Sequence, residues 1–190
     1  MARLQLYHTG FQIIETPDLT RGRKNADFGQ GFYLSQDKEF SRRWARTRKG
    51  QTTYLNAYEL ETEGLSIRRF SRDADWFSYL YANRAGQADA LPEFDLIVGP
   101  IANDTIYDTW GIITSGLLDR DKALSLLMLG PVYLQTVVKT QKAALSLRFL
   151  GAEALSQAEI AAWRETVRQE EQDFQAQFLE LLASFPEFAE

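Results

Sequence analysis

Apolar and polar side chains alternate over residues 4–8, LQLYH, and this predicts a strand ending at Thr9-Gly10. After FQIIE, Pro17 and Asp18 open a polar, basic loop that runs to Asn25. GFYLS reads as a second strand, short and aromatic. Residues 36–48 carry Phe40 and Trp44 among interleaved charges at helical spacing. TTYLNAYELE, residues 52–61, is β-rich and reads as a third strand. Residues 73–84 put Trp76, Phe77, Leu80 and Tyr81 on one side of a helix. FDLIVGPIAND is a nearly continuous apolar run closed by Gly99-Pro100, which predicts a buried strand with a sharp exit.

Residues 105–115 fit neither period, and residues 119–128 look helical. VYLQTVVKT, residues 132–140, is the clearest strand pattern of the second half. A helical turn over 142–147 and a short apolar strand, SLRFLG, follow. From Ser156 the character changes. Ser156 and Glu159 form a capping-box signature before Ile160, Trp163, Val167, Phe174, Phe178, Leu181 and Phe185, all at helical intervals. The expectation over 156–185 is a long amphipathic helix that packs on the domain over 1–151 or on a second copy, making a homodimer. Its acidic outer face argues against a membrane surface. Strands and helices mix without βαβαβ regularity, so the expected class is α+β.

Composition narrows the chemistry. The chain has 190 residues, 45% hydrophobic and 25% charged, as in ordinary soluble domains. The formal net charge of -5 supplies no global field for nucleic acid. Local basic strips occur at Arg42, Arg43, Arg46, Arg48 and Lys49, and at Arg21, Arg23 and Lys24; a solvated face is their bland meaning. The absence of cysteine removes disulfides, thiolate metal sites and cysteine nucleophiles. A single histidine, His8, removes His-rich zinc sites and disfavours a Ser-His-Asp triad, so no metal is expected. No run reaches membrane-spanning length, and no signal-peptide core is present. The expected compartment is the cytoplasm, with delivery as a secreted effector left open.

The pair Gly29 and Gly31 in DFGQGFYLS invites a nucleotide reading. A dinucleotide fingerprint needs a third glycine, where Leu34 stands, and the P-loop Lys-Ser/Thr is also missing. A helix N-terminal phosphate cradle is therefore not supported.

Three pieces taken together carry a family resemblance: YHTG at residues 7–10, FGQGFYLS at 28–35, and the strand opening at Leu134-Gln135. HTG is similar to the His-Gly-Ser/Thr strand end of the diphtheria-toxin and poly(ADP-ribose) polymerase class of ADP-ribosyltransferases. FGQGFYLSQDKEFSRRWA resembles that class's F-G-K-G-I-Y-F-A-D segment and its following helix, and QTVV stands where that class opens a strand with a catalytic glutamate. The portion to about Gly151 more closely resembles an uncharacterised bacterial family related to these transferases, through YHTG, the basic loop, DFGQGFYLS, DLIVGPIANDTIY and LQTVVKT.

The resemblance implies two small antiparallel sheets split around an NAD cleft, with His8, Tyr33 and Gln135 as the catalytic set. NAD would be a substrate. Tyr33 would stack on nicotinamide, where an aromatic ring supplies area at little entropic expense. Gly29 and Gly31 would let the backbone approach, with Phe32 and Ser35 as further binding positions of that segment. His8 would hydrogen-bond a ribose hydroxyl, Thr9 or the Gly10 backbone would meet the carboxamide, and Arg23 or Lys24 the pyrophosphate.

Gln135 departs from the glutamate of that class. An amide accepts a hydrogen bond but carries no charge, and losing such an electrostatic element costs on the order of a hundredfold. Slow transfer, help from an acid elsewhere, or NAD binding without turnover would follow. Asp104, beside Asn103 past the buried strand, is the acid to watch, although an Asx turn explains it equally well. The leading expectation is mono-ADP-ribosylation of a macromolecule by a toxin or effector, with an antitoxin protein as partner. NAD hydrolysis and a catalytically weakened binding module are the alternatives.

Overall fold

The structure, a computed structural model, describes residues 3–102, 118–186 and 188. Among the described residues seven strands form two sheets: β1 Arg3–Gly10, β2 Phe32–Leu34, β3 Thr53–Glu61, β4 Ile67–Arg69, β5 Leu96–Pro100, β6 Leu134–Val138 and β7 Leu147–Leu155. The helices are α1 Lys38–Arg43, α2 Ala74–Arg84, α3 Arg120–Leu127, α4 Gln141–Leu145 and α5 Gln157–Ala183, with a 3-10 turn at Leu19–Arg21. The chain is α+β, as the pattern predicted.

One sheet is antiparallel with strand order β1-β3-β7, and the other has order β2-β6-β5-β4. The second sheet is mixed rather than wholly antiparallel, because β4 runs parallel to β5. The two sheets meet at a bridge in which Tyr7 and Ser35 exchange backbone bonds of 2.8 and 3.0 Å.

Between the sheets lies a core of Leu6, Tyr58 and Leu60 from one side and Phe32, Leu34, Leu96 and Val138 from the other. Phe32 meets Tyr58 edge-on at 5.6 Å, a favoured aromatic geometry. On the far face of the mixed sheet, Phe28, Phe70, Trp76, Leu80, Ile97 and Val137 form a second core under α2 and α3. Trp76 is fully buried there, and its indole N–H donates to the Pro100 carbonyl at 2.9 Å. β5 is buried at every position, which explains its unbroken apolar run.

Side-chain caps start the helices: Asp37, Asp73, Asp119 and Thr140 each accept from a first-turn N–H. Ser156 and Glu159 form the capping box foreseen for α5. Within that helix Ile160 packs with Ala45, Leu55 and Leu155, while Phe174 and Phe178 cover Leu118 and Leu126. Part of the apolar face thus packs on the same chain, while Leu179 stays exposed. α1 stops five residues before the predicted end, because Arg48 and Gln51 turn back in a bridge around Gly50 at φ 73°.

Candidate functional site

β1 and β2 lie side by side across the Tyr7–Ser35 bridge, and β6 pairs with β2. This brings His8, Tyr33 and Gln135 to the wall of one cavity of about 360 Å³. Phe40, Trp44 and Ile101 add apolar lining, and Thr9, Arg23, Asp27 and Ser35 add polar groups.

His8 stands near the end of β1, with its ring 4.7 Å from that of Phe32. Its Nδ1 donates to the Tyr33 carbonyl at 2.8 Å, which leaves Nε2 as an acceptor in the neutral ring. Burial, only partly offset by that bond, holds the imidazole pKa below its ordinary value. A Cβ on Gly10 would lie 3.3 Å from Nε2, so glycine keeps the space beside this acceptor open.

The hydroxyl of Tyr33 donates to the Gly29 carbonyl at 2.6 Å and accepts the Phe28 N–H at 3.0 Å. Burial raises its pKa far above the ordinary phenol value. The phenol is a tie for the Ala26–Gly29 turn, and what it offers the cavity is ring surface.

Gln135 faces Gly99 across the β5–β6 pair and is 7% exposed. Its side-chain nitrogen has no hydrogen-bond partner among the described residues. A buried amide left in this state costs about 1–3 kcal/mol, which is the usual mark of a missing partner.

Other expected residues have local work. Thr9 Oγ1 donates to the Ser41 carbonyl at 2.5 Å, docking α1 on β1. Ser35 Oγ donates to the Leu134 carbonyl at 3.1 Å and accepts the Asp37 N–H. Phe32 is in the inter-sheet core. A Cβ on Gly31 would fall 2.6 Å from the Val138 carbonyl oxygen, and one on Gly29, at φ 71°, 2.9 Å from Asn83 Oδ1. Both glycines are explained by close approach to this protein's own groups. Asn103 and Asp104 lie outside the described residues.

Phe40, Trp44 and Asp27 are among the wall residues that the sequence pattern did not single out. Phe40 stacks on Tyr133 at 4.3 Å, and Trp44 follows one turn later. Their i, i+4 spacing behind GFYLS was the available signal. Asp27, first residue of the glycine motif, forms a buried ion pair with Arg84 at 2.7 Å. The arginines of α1 are not a solvated face: Arg42 pairs with Glu153 at 3.1 Å and Arg43 with Glu170.

A family model described as a protein of unknown function, DUF3990, matches residues 4–149. The chain belongs to the DUF3990 family. The DUF3990 match covers His8, Tyr33 and Gln135 and stops before the C-terminal helix. No curated protein and no solved structure matches the chain significantly. Among the described residues of this DUF3990 protein, no cluster of His, Asp and Glu could hold a metal ion. No described helix is long and apolar enough to cross a membrane.

Proposed function

We propose that the cavity binds NAD and that the protein transfers ADP-ribose from it to a macromolecule. The observation that carries this reading is the convergence of His8, Tyr33 and Gln135, from β1, β2 and β6, on one cavity. Its volume of about 360 Å³ is within the range of small-molecule sites. Its apolar rings and few polar groups suit a flat heteroaromatic ring joined to a ribose.

In the proposed complex Tyr33 stacks on nicotinamide and His8 Nε2 accepts a hydrogen bond from a ribose hydroxyl. Gln135 uses its partnerless amide on the same sugar, and exposed Arg23 meets the pyrophosphate. The bond from ribose C1′ to nicotinamide breaks, and its electron pair leaves with nicotinamide. The acceptor's nucleophilic atom bonds C1′ and gives up its proton. The protein's contribution is orientation of the reacting sugar.

The wall favours slow chemistry. Asp27, its carboxylate among the described lining residues, is paired with Arg84, and Gln135 is uncharged. Little negative charge is available for the oxocarbenium-like state, which lends weight to NAD hydrolysis or NAD binding without turnover as second readings. A toxin or effector held by an antitoxin protein is the biological setting we propose.

The test is incubation with NAD labelled in its adenylate part, following free nicotinamide and label on macromolecules. Transfer is expected, abolished in His8→Ala and Tyr33→Ala. Nicotinamide and free ADP-ribose without labelled macromolecule would mark a hydrolase, and no NAD consumption would leave only the binding module.

A further inference from the structure

The basic strips do not share one fate. Lys38, Arg42 and Arg43 are spent on Glu153 and Glu170. Arg21, Arg23, Lys24, Arg46, Arg48 and Lys49 are all exposed, and among the described residues no carboxylate pairs with them.

Two of these cations stand at the cavity wall or directly beside it, Arg23 and Arg46. Arg23 lines it, whereas the next residue, Lys24, lines a neighbouring cavity with Gly29, Gln30 and Asn83. Arg46 donates to the carbonyls of Arg43 and Ala45 at 3.1 Å, which fixes it beside Trp44, a cavity wall residue 36% exposed. Arg48 lies over the ring of Phe11, just past the His8–Gly10 strand end, with Lys49 next to it. Arg21 donates to Gln12, the residue after Phe11, at 3.2 Å. Of the acids nearby, Asp27 lines the cavity but is paired with Arg84, Asp18 accepts from Thr20 of its own loop, and Glu15 is exposed. The chain as a whole is at -5, so this patch stands against an acidic remainder that would orient a polyanion towards it.

We propose that single-stranded nucleic acid docks across this mouth, its phosphates on the two groups of cations and one base stacked on Trp44. Paired cations and an exposed aromatic ring are what such strands use: charge tracks the backbone, and the ring accepts any base. A cavity of about 360 Å³ admits one unstacked base and not a duplex. The strand is the ADP-ribose acceptor only if the NAD reading holds; the docking itself does not need NAD.

The test is therefore run without NAD. Fluorescence anisotropy of a labelled single strand of about 12 nucleotides, as RNA and as DNA, is followed against salt. Arg48→Gln with Lys49→Gln leaves α1 untouched, and adding Arg46→Gln completes the set. The triple variant is expected to lower the slope of log affinity on log salt by about 2. Trp44→Ala is expected to weaken binding by about 5- to 150-fold, with circular dichroism unchanged. Salt-insensitive binding, affinity untouched by these changes, or equal affinity for polyglutamate of the same length would overturn the proposal. Failure here leaves the NAD cavity standing, and failure of nicotinamide release leaves this surface standing.

Discussion

The Tyr33 carbonyl accepts a hydrogen bond from His8 Nδ1 at 2.8 Å, across the seam between the two sheets. This contact puts the proton of the protein's single histidine, a cavity-lining residue, on Nδ1 and leaves Nε2 as an acceptor. It also ties the His8 side chain to the backbone of the strand that carries Tyr33.

A neutral His8 has a measurable signature. Its folded pKa is lowered, so on acidification the unfolded chain takes up the proton first. The stability that a neutral imidazole contributes is complete above the unfolded value of about 6.5 and is lost as pH falls below it. NMR titration of the lone imidazole should give a midpoint below about 6.5 with the proton on Nδ1 at neutral pH. A midpoint at or above that value would contradict the burial assigned here.

Gly31 is kept free of a side chain by Val138 and Val137 of β6, which a Cβ would approach to 2.6 and 2.7 Å. Gly31→Ala should cost about 1–3 kcal/mol in urea denaturation through overpacking alone. A neutral substitution would mean that the loop can withdraw from β6.

Asp95 joins the starts of β4 and β5 to the end of β6. It accepts from Thr140 Oγ1 at 2.5 Å, from the Ser66 N–H at 2.9 Å and from Lys142 at 3.0 Å. Burial raises its pKa, but these bonds outweigh it and hold the carboxyl well below the usual range. Its stabilisation is present above the unfolded value of about 3.9 and is lost as pH falls through the folded one. Asp95→Ala should cost roughly 2–4 kcal/mol at pH 7 and flatten the acid limb of the stability curve.

Much of this architecture was legible because burial leaves a period in the sequence. β1 alternates around buried Leu6, β5 is apolar throughout, and Ser156 announces its helix. β4 was missed because Ile-Arg-Arg has no apolar period; only its parallel pairing with β5 makes it a strand. β7 runs to Leu155, well past the short apolar SLRFLG, because backbone pairing with β3 continues where the side chains are exposed. In the site, His8, Tyr33 and Gln135 each sit on a recognisable strand. Asp27–Arg84 and Phe40–Tyr133 arise where distant elements dock, and no local pattern encodes such docking.

Gln135→Glu probes the missing charge. If the site turns over NAD, a carboxylate beside the reacting sugar should raise nicotinamide release on the order of a hundredfold. An unchanged rate in a folded variant would mean that residue 135 does not face the sugar.

The central claim is that this cavity holds NAD, and calorimetric titration tests it most directly. The wild-type protein should bind NAD in one-to-one ratio. Tyr33→Phe should still bind, because it keeps the ring and loses only the hydroxyl's bonds to Gly29 and Phe28, while Tyr33→Ala and His8→Ala should not. No heat of binding to the wild-type protein, or equal affinity in Tyr33→Ala and His8→Ala, would contradict the account.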